Sequence, residues 1–445
     1  MKKLNPKRQL GLIQTSSIII GQVIGSGIFI NIPIVAAISG NIWVAVLIWF
    51  LGGLLWLPQI FILAEMGSAY PDQGGPYQFI NKAGSPFLAF LYTWTAFLTS
   101  DTPTLTIIGL LAADALSYFF PELGLDIYAR IFAAVLILIF TIIQFRSVKL
   151  GGNVQVLLTA SKLLPLLAVV LIGFYLIAAG KGQPMNFSAD KSFSLNVLTA
   201  GIAATVWAYA GFLNILYTSG EVLNPKKVLP KSLIGSVLFV MSAYVLINIG
   251  TAAIVPFNKL VSVEEGKFIN PFKYIETFAL DPGAIFAIAV FISMLGVMNS
   301  SIITQPRLEY AMARDGLFFK VFGHLHEKYL TPDFSIFIQS FAAIVLLFGN
   351  LGDLLGYFTL SYVLQNMLVY GSIFSLRRRK DYKPSFKSPL WFLMGVLSVI
   401  IQLYLAYGAF LAYPLGGLLA CVSLIVTGLP LYLYFVRRKK AGHVY

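Results

Sequence analysis

Apolar residues in this chain come in runs of about 20, the length that carries an α-helix across the hydrocarbon of a bilayer. Twelve such runs are predicted, at 13–38, 42–66, 87–118, 127–145, 153–179, 195–219, 232–255, 283–306, 334–350, 354–376, 389–411 and 414–436. Two of them are interrupted: Gly25-Ser26-Gly27 breaks the first and Tyr209-Ala210-Gly211 the sixth. Hydrocarbon offers no partner to a freed peptide group, so such a break is tolerated only where it faces protein or a polar cavity. Paired breaks in corresponding positions of two halves point to a substrate site near the midplane.

The breaks also organise the chain. Runs one to five (about 10–180) and six to ten (about 195–376) read as two blocks, each opening with an interrupted helix, and runs eleven and twelve (about 389–436) are additional. Five spans per block give the second block the opposite orientation, an inverted repeat of the kind that supports alternating access. The expectation is an all-α integral membrane protein with one transmembrane domain over 1–445. Its twelve helices form a 5+5 inverted repeat, with helices one and six broken, plus two extra C-terminal helices.

Composition and charge sharpen this picture. The chain is 58% hydrophobic and 11% charged, far from the roughly 25% charged residues of soluble domains. A net charge of +13 could suggest nucleic acid. The placement of the charges argues for topology instead: of 31 Lys and Arg, 24 flank one side of the spans, 6 the other, and Lys162 lies inside a span. Positive charge stays inside, so both termini are expected in the cytoplasm. The first apolar run is too long for a cleavable signal peptide and continues into the glycine break, so it is expected to remain. A single cysteine, Cys421, allows no internal disulfide and no thiol cluster for a metal. His324, His326 and His443 all fall outside the predicted spans. With no nucleophile beside a base and no phosphate loop, the expectation is transport without catalysis, metal or cofactor.

Several motifs carry a resemblance. They are VIGSGIF at 23–29, the stretch from Pro71 through Gly74-Gly75-Pro76-Tyr77, WAYAGF at 207–212, Glu221 with Asn224-Pro225 and Leu229-Pro230, and RLEYAMARDG at 307–316. In this order they resemble the signatures of the amino acid, polyamine and organocation (APC) transporter superfamily. The likeness is to its bacterial amino acid exchangers and its L-type light-chain branch, over nearly the whole chain. The resemblance implies a LeuT-like fold in the cell membrane, a bacterial inner membrane, and an amino acid as substrate. It also implies that Trp207 closes over the substrate from the outer side. A disulfide-linked heavy chain is not expected, because the outer connection at 119–126 lacks cysteine. Three departures leave the substrate open: only Gly220-Glu221 stands for the common acidic pair, Trp207 stands where neutral carriers often have Phe, and Asp101 lies in the third span.

The broken helices can hold both ends of a zwitterion. At Gly25-Ser26-Gly27 an outer half-helix begins, so its free N–H groups and positive dipole end suit a carboxylate. Carbonyls near Val23 and Ile24, and around Trp207 and Tyr209, can accept from the ammonium. Tyr209, Ala210, Gly211 and Phe212 shape a side-chain pocket, with Phe212 equally suited to packing. The plain alternative is a small-residue packing face, since Gly21 and Gly25 have the GxxxG spacing.

Lys162, in SKLLP of the fifth span, needs a reason to be there, because its charge costs about 2.5–3.5 kcal/mol at a helix centre. The resemblance implies that its amine points at the first break, where sodium-coupled relatives hold an ion. The same residue could carry a proton, and snorkelling to the inner interface is the alternative to both roles. Asp101, in TSDTP, could neutralise Lys162, bind a cationic side chain, or titrate with coupled protons. Glu65 reads as an inner-gate or interfacial charge, and Asn299, Ser300 and Ser301 either offer polar contacts to the substrate or glue helices together. The leading expectation is sodium-independent exchange of small or neutral L-amino acids. A cationic amino acid or polyamine exchanger, a proton-coupled symporter, and a membrane nutrient sensor without net transport are the alternatives.

Overall fold

A computed structural model describes residues 5–25, 27–183, 194–263, 268–275, 281–349, 354–412 and 414–441, with the backbone alone at 207, 354–358 and 412. Every named element in it is helical, and an isolated bridge joins Leu10 to Val222. This follows from the solvent: short of a closed barrel, only a helix satisfies its own peptide groups in lipid.

Among the described residues the α-helices run α1 (Leu12–Val23), α2 (Gly27–Ser39), α3 (Ile42–Leu54), α4 (Trp56–Ala69), α5 (Gly75–Lys82), α6 (Pro86–Thr95), α7 (Thr102–Leu116), α8 (Asp126–Arg146), α9 (Val148–Ala178), α10 (Leu195–Thr205), α11 (Pro225–Ile254), α12 (Phe257–Val261), α13 (Pro282–Thr304), α14 (Pro306–Arg314), α15 (Asp333–Leu346), α16 (Leu354–Leu376), α17 (Trp391–Ala412) and α18 (Pro414–Lys440). A π-helical turn, Ala96–Asp101, joins α6 to α7. Two 3-10 stretches, Val206–Tyr209 and Phe212–Glu221, follow α10.

Eight segments among the described residues are long and apolar enough to cross a membrane, and α1 with α2 make a ninth that is bent by 47°. The apolar pattern predicts more spans because it counts residues, whatever their coil. The run at 195–219 is α-helical only over the 11 residues of α10 and then tightens into 3-10 turns. The run at 334–350 holds the 14-residue α15. Each falls short of the roughly 20 residues that a straight span needs.

α9 shows how the pattern places a functional side chain. Gln155, Thr159, Lys162, Leu166, Val169 and Gly173 are buried at alternating steps of four and three, one continuous stripe of the helix. Leu157, Leu164 and Leu171 are exposed on the opposite face, where lipid tails are the natural solvent. The buried stripe packs on α1, α11 and α13. Gly173 meets Gly250 of α11 backbone to backbone: a Cβ on Gly173 would lie 2.5 Å from the Gly250 Cα. Small residues permit such crossings, and the polar part of the stripe is thereby pressed against the first break.

Candidate functional site at the two helix breaks

α1 ends at Val23, Ile24 leaves the helical region at φ −77° and ψ 89°, and α2 begins at Gly27. In the sixth run the chain turns 3-10 after Thr205, and Gly211 takes φ +117°, a value open in practice to glycine. The breaks lie against one another. A Cβ on Gly27 would stand 3.1 Å from the Ala208 Cα, and one on Gly211 2.8 Å from Gln22 Cγ. The Tyr244 hydroxyl joins them, 2.8 Å from the Ala208 carbonyl and 3.3 Å from that of Val23.

Lys162 is buried, and its ammonium donates to the carbonyls of Gly21 (2.7 Å) and Ile24 (2.5 Å), the open C-terminal end of α1. It does not snorkel to the surface: the residue is 2% exposed. Ser293 of α13 donates to the same Ile24 carbonyl at 3.2 Å. Gly296 leaves the space, since a Cβ there would stand 3.2 Å from Lys162 Nζ. The cationic end group thus lies where the negative end of a half-helix dipole and two unpaired carbonyls converge.

The carbonyls of Val23 and Ile24 are therefore engaged by the protein. Ile24 accepts from Lys162 and Ser293, and Val23 from Gly25 N–H at 3.0 Å with Tyr244 beside it. A carbonyl has two lone pairs, so these two residues are left to shape the break more than to offer open acceptors. Gly25 and Gly27 border the opening, and Ser26 between them lies outside the described residues.

The second break divides its aromatic residues. The Tyr209 hydroxyl donates to the Trp49 carbonyl at 2.9 Å, and its ring packs 4.9 Å from that of Tyr244 and 6.1 Å from that of Trp49. Phe212 is fully buried with its ring 5.7 Å from that of Trp56. Both are packed aromatics. Ala210 and Val206 instead line a cavity of about 450 Å³, with Trp56, Tyr362, Asn366 and Gln402. Trp207 stands on the 3-10 turn, and its side chain lies outside the described residues.

Asp101 is buried at the end of the π turn. Its Oδ1 accepts from Ser100 Oγ at 3.3 Å, and no hydrogen bond reaches Oδ2. Lys162 spends its two described bonds on α1 carbonyls, so the structure does not bring these two residues together as an ion pair. Asn299 bonds Gln144, Gly151 and Gln155, and Ser300 donates to the Ile18 carbonyl, which joins α1, α8, α9 and α13. Among the described residues no group of three or more His, Cys, Asp or Glu could hold a metal.

The remaining motifs close the end of the bundle where the N-terminal segment of the chain meets Glu221. Gln9 and Leu10 N–H groups donate to the Glu221 carbonyl at 2.7 and 2.9 Å. The Glu221 side chain meets the Arg307 guanidinium through two bonds of 3.3 Å, with both side chains fully buried. Gly74, at φ +76°, passes so close to Ala311 that a Cβ would collide at 2.3 Å. Tyr77 donates to Asp315 at 2.9 Å. Beside this seal, Glu65 accepts two bonds from Arg377 (2.7 and 2.5 Å), one from Tyr382 (2.9 Å) and one from Ser388 N–H (2.7 Å), which ties α4 to the α16–α17 connection.

The model of the amino acid permease family matches residues 10–435 of the chain. The chain belongs to the amino acid permease family. Among curated relatives, the serine/threonine exchanger SteT of Bacillus subtilis is 28% identical over 448 residues, covering 98% of each chain. The b(0,+)-type amino acid transporter 1 of Homo sapiens is 28% identical over 453 residues, 98% of this chain and 90% of the relative. The Asc-type amino acid transporter 1 of Mus musculus is 26% identical over 439 residues, 96% of this chain and 81% of the relative. This permease is accordingly a multi-pass membrane protein of amino acid transport, and its relatives are carriers, not enzymes. Its APC assignment rests on the whole length of the chain.

Sequence reasoning missed Tyr244 and Ser293, which complete the polar lining of the breaks. A lone tyrosine or serine in an apolar run carries no mark of where it points. Lys162 was conspicuous because an ammonium at that depth is costly wherever it points.

Proposed function

We propose that this permease is an alternating-access carrier that exchanges small or neutral L-amino acids without sodium. The observation that carries the reading is the Lys162 ammonium on the Gly21 and Ile24 carbonyls. A fixed cation at the end of the first half-helix fills the electrostatic role of a bound ion. The substrate carboxylate then meets the N–H groups that open α2 from Gly27 onward, and Ala210 borders the space for its side chain. The names of the relatives, a serine/threonine exchanger and an Asc-type transporter among them, favour exchange and a small substrate.

In this reading the twelve spans form the 5+5 inverted repeat with two extra helices, both termini are cytoplasmic, and Trp207 closes the outer side. Transport needs no covalent step: the substrate binds at the breaks, the outer half-helices close, and the contacts around Glu221 and Arg307 part to open the inner side. A second reading, exchange of cationic amino acids, is favoured by the unpartnered Oδ2 of Asp101. Counterflow of labelled serine by the purified protein in liposomes, challenged with each amino acid with and without sodium, tests both. Competition by small neutral amino acids at equal rates in both salts is expected. Sodium dependence contradicts the first reading, and exclusive competition by lysine and arginine replaces it with the second.

A further inference from the structure

Ser385, in the connection between α16 and α17, donates through its hydroxyl to the carbonyl of Lys226 at the start of α11, 2.6 Å away. Lys227 is the next residue, and Lys383 and Lys387 stand two residues to either side of Ser385. One hydrogen bond between residues 159 apart in the chain thus gathers four lysines, all of them exposed.

The connection is irregular in backbone but held at many points. Glu65 of α4 binds Arg377, Tyr382 and the Ser388 N–H, and the Phe386 N–H donates to Ser68 of α4 at 3.2 Å. The Phe386 ring stacks on that of Phe61 at 6.3 Å. Arg379 donates to the Lys82 carbonyl at the end of α5, 2.9 Å away. The lysines therefore project from a frame that is already ordered, which spares a ligand the entropy of ordering it.

The acids on these elements are spent elsewhere. α11 and α17 carry none, and α4 and the connection carry one each: Glu65 is held by Arg377, and Asp381 by Arg379 at 2.9 Å. Among the described residues no hydrogen bond or ion pair engages the four ammonium groups. The positive-inside rule accounts for the side of the membrane on which they lie, but not for their gathering at one fixed contact.

The surroundings favour a lipid over a soluble anion. On α11 the exposed residues Lys227, Lys231, Leu238 and Phe239 fall on one face of the helix, so a face that begins in ammonium groups continues in apolar side chains. Beyond Lys387, the side chains of Leu390, Phe392 and Leu393 are exposed. The Trp391 ring lies 4.7 Å from the Arg377 guanidinium, an aromatic at the level where such rings meet headgroups. We propose that Lys226, Lys227, Lys383 and Lys387 bind the headgroup phosphate of an anionic phospholipid, whose acyl chains lie along the apolar continuation of the α11 face. A phosphate there bridges the start of α11 to the connection beside the Ser385 contact. The inference goes beyond the carrier reading and does not depend on it.

The test is native mass spectrometry of the purified permease in detergent, titrated with phosphatidylglycerol and with phosphatidylcholine of the same acyl chains. Phosphatidylglycerol is expected to bind more tightly by roughly two to three orders of magnitude, since each lysine near a headgroup contributes a factor of about five. Lys226→Gln, Lys227→Gln, Lys383→Gln and Lys387→Gln together are expected to bring the two lipids near parity. Arg437→Gln with Lys440→Gln, which removes like charge from the end of α18, is expected to keep the preference. Equal binding of both lipids by the wild type overturns the site, and so does a preference that survives the fourfold variant or falls equally in the α18 variant. Displacement of the lipid by glycerol phosphate at the same concentration overturns it as a lipid site. If the fourfold variant fails to fold, the pair Lys383→Gln and Lys387→Gln decides: a loss of preference of about 25-fold upholds the site, and no loss refutes it.

Discussion

Lys162 Nζ lies 2.5 Å from the carbonyl oxygen of Ile24, the residue at which the first broken helix loses its coil. A charge buried at this depth is stable only because the helix end supplies a complementary dipole and a freed acceptor. Lys162→Ala removes the cation, takes the side-chain donor from the Gly21 carbonyl and leaves Ser293 alone on that of Ile24. Counterflow is expected to vanish or lose its coupling while the protein still reaches the membrane. Counterflow of wild-type rate in that variant contradicts the role.

Tyr244→Phe keeps the packing against Trp49 and Tyr209 but removes the hydroxyl between the two breaks. The expected loss of stability is about 0.5–1.5 kcal/mol, as for a typical buried hydrogen bond. Because the lost contacts are those that align the breaks, substrate affinity is expected to fall further than the melting temperature suggests. Binding titrations beside thermal unfolding in detergent check this.

Gly211→Ala forces a Cβ onto a residue at φ +117° with Gln22 only 2.8 Å away. The strain is expected to cost about 1–3 kcal/mol and to push the breaks apart. Gly235→Ala, which meets open space on α11, is the matched control. Loss of counterflow in the first and not in the second is the expected outcome.

The breaks were legible in the sequence because glycine inside a long apolar run, two in the first break and one in the second, weakens the coil at the depth where lipid penalises every unpaired peptide group. Lys162 was legible for the same reason of cost. The fate of each aromatic was not: Tyr209 and Phe212 stand in the second break, yet their rings turn to Trp49 and Trp56, since neighbouring helices decide which side of a 3-10 turn is filled. The length of α10 was overestimated because hydropathy is blind to the tighter coil after Thr205.

Arg307→Met leaves the fully buried Glu221 without its partner, which is expected to destabilise the protein by about 3–5 kcal/mol. The double variant Arg307→Met with Glu221→Gln removes the uncompensated charge and is expected to recover much of that loss. Melting temperatures of the three proteins in detergent measure it. Equal destabilisation in the single and double variants counts against the ion pair as the inner seal.

The central claim is that peptide groups freed at two broken helices hold the ends of an amino acid. A structure of the purified permease in lipid nanodiscs with bound serine tests it most directly. The account predicts the serine carboxylate at the N–H groups that open α2 around Gly27, with its side chain toward Ala210. Serine seated away from both breaks, or both segments wound into continuous helix around it, contradicts the account.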